Sequence, residues 1–368
     1  MNTIGKQATL TLFGESHGRA IGCVLDGLPS GEAIELEQVH LEMARRAPGR
    51  NQLSTARKED DAFEIESGYF NGYTTGTPLC AMIYNTDHRS ADYDQLRHVM
   101  RPGHADYSGK IRYGSFNDYR GGGHFSGRIT APLVFAGAVA SQIITRRGIT
   151  IGAHIQQIAT VQDRPFQPLG ENPETLQALR QQALPFLDPQ KGDAAKKAIL
   201  DAKGDLDSVG GIIECQILGL AAGLGDPFFD SLESQISHMM FSIPAVKGIE
   251  FGDGFSFASL RGSYANDSFY YDDTGAVKTR TNHNGGINGG ITNGMAVNFR
   301  IVVKPTPSIS KKQDTIDTDT KKNCDLVIKG RHDPCIVQRA VPVVEAATAW
   351  TLLDVLMQEW GRHVHETH

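Results

Sequence analysis

The sequence predicts a single α+β unit. Three observations carry that expectation. Period-two strand patterns and 3.6-period helix patterns are intermixed along the whole chain instead of falling into separate blocks. No Pro-, Ser- or Gly-rich linker divides the 368 residues. No segment recurs at a fixed spacing, which excludes a solenoid or propeller.

The elements follow in chain order. Thr9 to Phe13 alternates polar and apolar residues until Gly14. Ala20 to Leu25 is a second apolar run ended by Asp26-Gly27, so the pair reads as strand, tight loop, strand. Leu36, Val39, Met43 and Ala47 recur at helical spacing, with Arg45-Arg46 at the end and Pro48-Gly49 as the stop. From Gly49 to Gly127 the chain is rich in turns, Arg, His and Gly, and no long periodic element is expected. Ala131 to Ile144 reads as a buried core helix too short to span a bilayer, with Thr130 as N-cap and Pro132 in its first turn. Residues 173–203 read as a solvated pair of polar helices. Ile212 to Leu218 is a strand, Pro227 to Met240 a helix, and the alternation of Met295, Val297, Phe299, Ile301 and Val303 the clearest strand of all. Residues 306–324, rich in Lys, Thr and Asp, are expected to form an exposed loop. Val343 to Met357 is a terminal helix, followed by a frayed tail at 361–368.

Composition narrows the function. At 40% hydrophobic and 21% charged residues, the chain can bury a sizeable core. A net charge of −6 argues against general nucleic-acid or membrane-surface binding. The cysteines (Cys23, Cys80, Cys215, Cys324, Cys335) are scattered, odd in number and without a C-x-x-C pair, and no secretory signal is recognised. Reduced thiols in a cytoplasm are the expectation.

Six segments carry polar chemistry. Gly14-Glu15-Ser16-His17-Gly18 matches G-x-S-x-G, but a hydrolase elbow needs a helix after the serine and a strand pattern follows here. The remaining readings are a plain hairpin loop, or a loop presenting Ser16 and His17 to an anion. His104 sits on a turn after Pro102-Gly103, with Asp106 close enough in sequence to orient an imidazole. Residues 118–128 form a Gly-rich loop running into the core helix. It lacks a Walker pattern and is either a phosphate cradle or a connector. The glycines at 285–290 suit backbone contact with a planar ligand, or a hairpin tip. Lys304 with Thr306 and Ser308 suits a phosphate, or a solvated strand end. Arg331, His332 and Asp333 bring a cation, an imidazole and a carboxylate together, yet no H-E-x-x-H spacing supports a metal. Arginines crowd the first third: Arg45, Arg46, Arg50, Arg57, Arg89, Arg97, Arg101, Arg112, Arg120 and Arg128. In an acidic chain, a converging subset would make a local site for a polyanionic small molecule, because the guanidinium fork binds carboxylate and phosphate bidentately.

Taken in order, these segments resemble the chorismate synthase family. The resemblance rests on FGESHG at 13–18, RRAPG at 45–49, NTDHRSADY at 85–93, RPGHADY at 101–107, DYRGGG at 118–123, AVKGIEFGDGF at 245–255, GGINGGITNG at 285–294, KPTPSI at 304–309 and RHDPC at 331–335. It spans all but the polar helices near 165–205 and the tail. It implies a helical layer sandwiched between antiparallel sheets, assembled as a homotetramer. It also implies a cytoplasmic lyase that eliminates phosphate and a ring proton from 5-enolpyruvylshikimate 3-phosphate, with anti stereochemistry. Reduced FMN is required without net redox change, and NADPH is the candidate reductant.

By the same resemblance, His17 protonates or stabilises the departing phosphate, and His104 acts on the reduced flavin ring. Asp333 relays the abstracted proton, while Ser16 and Ser126 assist by hydrogen bonds. FMN is expected at His124, Phe125, Ser126, Pro244, Ala245, Gly289, Lys304, Pro305, Thr306, Pro307, Ser308 and Arg331. The substrate clamps are expected at Arg45, Arg46, Arg101 and Arg120, and a nicotinamide nucleotide at Arg46. The chain departs from the family pattern at His124 and Phe125 (Arg and Ser in the usual GGGRSSARET), at Ile129 (Glu), at Ala47 (the third Arg of RRRPG), at Pro307 and at Pro244. None of these changes touches His17, His104, Ser126 or Asp333. Competing functions are a flavin or anion binder without elimination activity, a serine hydrolase using Ser16, and a nucleic-acid binder. A fluorophosphonate probe on Ser16, or a steep salt dependence with generic DNA, would mark the last two.

Overall fold

The structure is a computed structural model that describes residues 1–49, 61–85, 96–328 and 333–359. The first sheet is made by β1 (Thr3–Ile4), β2 (Thr9–Gly14) and β3 (Ala20–Asp26). After helix α1 (Leu36–Arg46) come β4 (Glu64–Ser67), the small ribbon of β5 (Tyr69–Phe70) and β6 (Tyr73–Thr74), and β7 (Leu79–Tyr84). Its five strands are ordered β1-β2-β3-β7-β4 and every pair is antiparallel. Helix α2 (Asp106–Arg112) and the Gly-rich loop then lead into α3 (Thr130–Thr145).

The second sheet begins with β8 (Thr150–Ile158) and β9 (Val161–Gln162). Helices α4 (Pro173–Arg180) and α5 (Pro189–Gly204) precede β10 (Gly211–Leu218), and α6 (Leu232–Ser242) precedes β11 (Val246–Phe251). A one-turn helix α7 (Gly262–Ala265) and the ribbons β12 (Phe269–Tyr271) with β13 (Val277–Thr279) and β14 (Ile287–Asn288) with β15 (Ile291–Thr292) lead to β16 (Val297–Val303). The order β11-β16-β10-β8-β9 is again antiparallel. A last ribbon, β17 (Gln313–Asp317) with β18 (Lys322–Leu326), is followed by α8 (Val337–Glu359).

Between the two sheets lie helices. On the first sheet, Ile21, Cys23 and Leu25 of β3 pair across to Ile83, Ala81 and Leu79 of β7, and all are buried. That face packs on α3. On the second sheet, Ile213 and Cys215 of β10 pair with Ile301 and Phe299 of β16, also buried, and the strands pack on α8. Helices α3 and α8 pack on each other, which closes one contiguous core. This explains why α3 carries no polar stripe: it is covered on every side, as a helix in the middle of a molecule must be. Gly127–Thr145 and α8 are long and apolar enough to cross a membrane, contrary to the length argument made for the first of them. They are 83% and 89% buried inside the molecule, so their apolar surface is spent on the core.

Several sequence expectations are corrected. The turn-rich stretch contains β7, a strand inside the first sheet, hidden because LCAMIY is too uniformly apolar to alternate. Strands β8 and β11 were not anticipated either. The expected exposed loop at 306–324 contains β17 and the start of β18, where half-buried and exposed residues alternate along β17 although both strands are mostly polar. Thr130 does not cap α3: it is the first helical residue, and its hydroxyl donates to the Gly127 carbonyl at 2.6 Å. The helix expected from Pro227 starts at Leu232, capped by the Ser231 hydroxyl. Helix α8 begins at Val337, six residues before the expected Val343, because it tolerates Pro342.

The α3–α8 contact is tight enough to test. A methyl group on Gly137 would lie 2.3 Å from Cα of Ala346, so the helices would have to separate. Gly137→Ala is expected to destabilise the protein by roughly 1–3 kcal/mol through overpacking, despite the better helix propensity of Ala, read as a lowered denaturant midpoint.

On the outer face of the second sheet, His154 is fully buried. Its Nε2 lies 2.8 Å from Glu214 Oε2. The nearest Asp163 oxygen is 3.6 Å from Nδ1, too long for a hydrogen bond, so Asp163 acts by charge. Burial alone would lower the His154 pKa, but the two carboxylates outweigh it and raise it above the ordinary imidazole value of 6.5. A raised folded pKa contributes stability that is fully present below pH 6.5 and fades as pH rises through the folded value. The stability difference between wild type and His154→Gln should therefore shrink on going from pH 6 to pH 9 in urea titrations.

Candidate active site

The site begins at a hairpin. Between β2 and β3, residues 15–19 turn over and present Ser16 and His17, which are nearly inaccessible at 1% and 5% exposure. Ser16 Oγ lies 3.1 Å from His17 Nδ1 and reaches the carbonyls of Arg120 and Gly121 at 3.3 and 3.2 Å. The Ser16 amide donates to Gly123 O at 3.2 Å. The hairpin is thus laid against the Gly-rich loop.

That loop has a conformation only glycine adopts readily. Gly121, Gly122 and Gly123 have φ of 57°, 89° and 54° in succession. A Cβ on Gly121 would sit 2.1 Å from the His17 ring, and a Cβ on Gly122 would sit 3.1 Å from the His104 ring. Two imidazoles that are 87 residues apart in sequence therefore flank adjacent residues of one loop.

His104 is held from behind. Its Nδ1 is 2.7 Å from Asp106 Oδ1 and 3.1 Å from the Arg101 guanidinium. Arg101 in turn grips both oxygens of Asp106 at 2.7 Å. Burial would raise the Asp106 carboxyl, but hydrogen bonds from Arg101 and His104 outweigh it and keep it well below the usual carboxylate range. Lys304 leans on the same turn: its ammonium donates to Gly103 O, and Pro307 lies beside it. Lys304 N donates to Ala245 O at 2.9 Å, and Ala245 has φ of 74°, unusual for a residue with a Cβ. Thr306 Oγ1 is buried and has no hydrogen-bond partner among the described residues. Ser208 and Val209 fasten Thr306 to Pro334: Ser208 Oγ donates to Thr306 O at 2.7 Å and Val209 N to Pro334 O at 2.9 Å. Asp333 therefore arrives beside the 304–308 segment, its carboxylate held by Arg339 at 2.5 Å.

The arginines expected as clamps differ in their surroundings. Arg120 is the most open, with 39% of its side chain exposed, and binds Asp118 through two nitrogens. Arg101 is buried behind His104. Arg46 is buried and donates to Asp61 at 2.7 Å. Arg45 lies in a cluster with Glu42, Glu345 and Arg180 that ties α1 to α8 and α4. Burial would lower its pKa, but the Glu345 and Glu42 carboxylates raise it further instead.

The remaining expected positions divide in the same way. The His124 ring is held at both nitrogens: Nδ1 meets Gly14 O at 2.8 Å and Nε2 meets Asn2 Oδ1 at 3.2 Å. Phe125 packs on Gly109 of α2 and near Tyr113. Ser126 Oγ accepts from the Arg128 amide at 3.3 Å. Pro305 borders Gly210, and Ser308 is buried. Gly289 is at the exposed tip of the β14–β15 ribbon, which rests on the N-terminus of α6, whereas Pro244 follows the C-terminus of that helix. Eleven helical residues, about 16 Å, separate those two places. Arg331 lies outside the described residues, as does His332.

Sequence reasoning passed over Asp61, Asn85 and Arg339. Asp61 accepts from both Arg46 and Arg128, while Asn85 joins Arg128 to the 15–18 turn. Asn85 opens the NTDHRSADY segment and so had a signal. Asp61 and Arg339 had none.

Two imidazoles thus lie against one glycine loop, with the Ser16 hydroxyl beside His17 and Asp106 and Arg101 behind His104, groups of the kind that move protons in enzymes acting on small anions. The comparisons agree. The family model described as chorismate synthase matches residues 8–357. A chorismate synthase of Porphyromonas gingivalis is 45% identical, with 100% of this chain and 99% of that protein covered. One of Dehalococcoides mccartyi is 44% identical over 97% of each, and one of Methanothermobacter thermautotrophicus 42% identical over 100% and 96%. A crystal structure of a chorismate synthase superposes with a TM-score of 0.77 at 28% identity, covering 97% of this chain and 94% of that one. The chain belongs to the chorismate synthase family, lyases of the shikimate pathway.

The glycine loop makes a direct prediction. Gly121→Ala would drive a methyl into the His17 ring and strain a left-handed backbone. It is expected to lower turnover by at least about tenfold while far-UV circular dichroism stays that of the wild type, because a small misplacement of a reacting group is costly.

Proposed function

We propose that the chain converts 5-enolpyruvylshikimate 3-phosphate into chorismate and phosphate with reduced FMN bound beside the substrate. The observation that carries the reading is the pair of imidazoles, His17 and His104, against the adjacent glycines Gly121 and Gly122. The donor set suits a flavin mononucleotide. Lys304, Ser308 and the Thr306 hydroxyl, which has no partner among the described residues, are fit for its phosphate, and Ala245, hydrogen-bonded to the Lys304 amide, adjoins them. When bound, reduced FMN supplies electron density that eases loss of an allylic phosphate and an unacidic ring hydrogen without net redox change.

The protein's own part is positioning and proton transfer. Ser16 sets the His17 ring through Nδ1, and His17 delivers a proton to the departing phosphate. Asp106 and Arg101 hold the His104 ring at Nδ1, so that its other nitrogen faces the cofactor. Asp333, held by Arg339, accepts the ring proton. Arg120 exchanges Asp118 for a substrate anion. That exchange is open to it because its guanidinium is the least buried of the four clamps. Of the other three clamps, Arg101 and Arg45 are balanced by Asp106 and by Glu42 with Glu345, whereas Arg46 and Arg128 share Asp61 and leave that group one positive charge. The family resemblance assigns a nicotinamide nucleotide such as NADPH, as reductant of the flavin, to Arg46, whose side chain is buried against Asp61. The form we propose is a homotetramer of single-domain chains in the cytoplasm, and exposed Phe228 and Phe229, at 86% and 93%, suit burial against another copy.

Anaerobic incubation with the substrate and chemically reduced FMN tests this. Wild type should release one phosphate per chorismate, and oxidised FMN should support neither product. His17→Ala, His104→Ala and Asp333→Ala should each lower kcat by on the order of 10²–10⁴-fold in folded protein. Unchanged turnover in all three would overturn the assignment.

A further inference from the structure

We propose that Asn85 is a positioning residue for His17: its side-chain amide bridges the buried Arg128 guanidinium to the two carbonyls that bracket the Ser16-His17 turn. The inference rests on the reading of His17 as the acid of the reaction.

Asn85 follows the last residue of β7 and is 7% exposed. Its backbone amide donates to Arg19 O at 3.1 Å, carrying the β3–β7 pairing one step into the turn. Its Nδ2 donates to Glu15 O at 3.1 Å and to Gly18 O at 2.9 Å. Its Oδ1 accepts from Arg128 Nε at 3.1 Å. The chemistry of the partners leaves no choice of orientation: Arg128 can only donate, and carbonyls can only accept. An amide is the one neutral side-chain group with two donors and an acceptor at this reach. Glu15 and Gly18 stand immediately before Ser16 and immediately after His17, so these bonds hold both ends of the segment.

The anchor on the far side is firm. Arg128 Nη1 donates to Asp61, which also accepts from Arg46 at 2.7 Å, and all three side chains are almost completely buried. Arg46 O accepts from Arg339 Nε at 3.1 Å, and Arg339 holds Asp333. A hydrogen-bonded chain therefore runs from the Asp333 carboxylate to the His17 turn, and Asn85 is its last link. Asn85 hydrogen-bonds to that turn and to Arg128, and acts on the reaction through His17.

Asn85→Asp preserves size and the bond from Arg128 but sets a carboxylate oxygen against two carbonyl oxygens, so the turn must shift. Misplacing a proton donor by a fraction of an ångström to an ångström is expected to lower kcat by about tenfold to a hundredfold. Binding of oxidised FMN, followed by flavin fluorescence, should stay at the wild-type value.

A double-mutant cycle decides whether the effect travels through His17. Turnover is measured anaerobically with reduced FMN for wild type, Asn85→Asp, His17→Ala and the double variant. If Asn85 acts by placing His17, the Asn85→Asp change costs less than about twofold once the imidazole is gone. Multiplicative losses would overturn the proposal, as would wild-type kcat in Asn85→Asp. Unchanged turnover in His17→Ala would instead overturn the reading on which the proposal rests. Arg128→Lys, which removes Nε but leaves a cation for Asp61, enters the same cycle and decides alone if Asn85→Asp does not fold.

Discussion

The three left-handed glycines at 121–123 are the constraint on which the site depends. With no Cβ on any of them, the backbone passes between two imidazole rings at a distance no other residue allows. The Ser16 amide and hydroxyl bind this loop from one side, and the His104 turn meets it from the other. The loop also feeds directly into α3, the helix at the centre of the molecule, so its position is inherited from the core rather than from solvent-exposed contacts.

Behind the glycine loop the charged residues are arranged in depth. Arg46, Asp61 and Arg128 form one buried group, and Arg45, Glu42, Arg180 and Glu345 another. Burying such charges is costly unless each finds partners, so removing any one member would leave an uncompensated buried charge. The neighbouring residues Arg45 and Arg46 lead away to different carboxylates, one on α8 and one on the segment after α1. The end of α1 is thereby pinned at two points, and Arg339 adds a third through the Arg46 carbonyl.

The family departures at 124, 125 and 129 fit this picture. His124 bonds to Gly14 O and Asn2, Phe125 covers Gly109, and Ile129 is buried in the core. Each of the three side chains thus has partners of its own in the packing around the loop. The His17, His104 and Asp333 surroundings are built from other residues.

Strands with clean alternation and helices with strong stops were legible in the residues themselves, as β2, β3, α1, β10 and β16 show, because their apolar residues recur at a regular spacing that glycine, proline or charge then interrupts. The polar segments that meet at the site were legible as motifs, because glycine, proline and histidine are uncommon enough to stand out. Strands β7, β8 and β11 and the ribbon at 313–326 were not, since a strand's place in a sheet depends on partners far away in the chain. Likewise no local pattern could pair Gly121 with His17, Gly122 with His104, or Arg339 with both Asp333 and Arg46. Those meetings exist only after two sheets close over α3 and α8, for side-chain type is written residue by residue while proximity is a property of the packed whole.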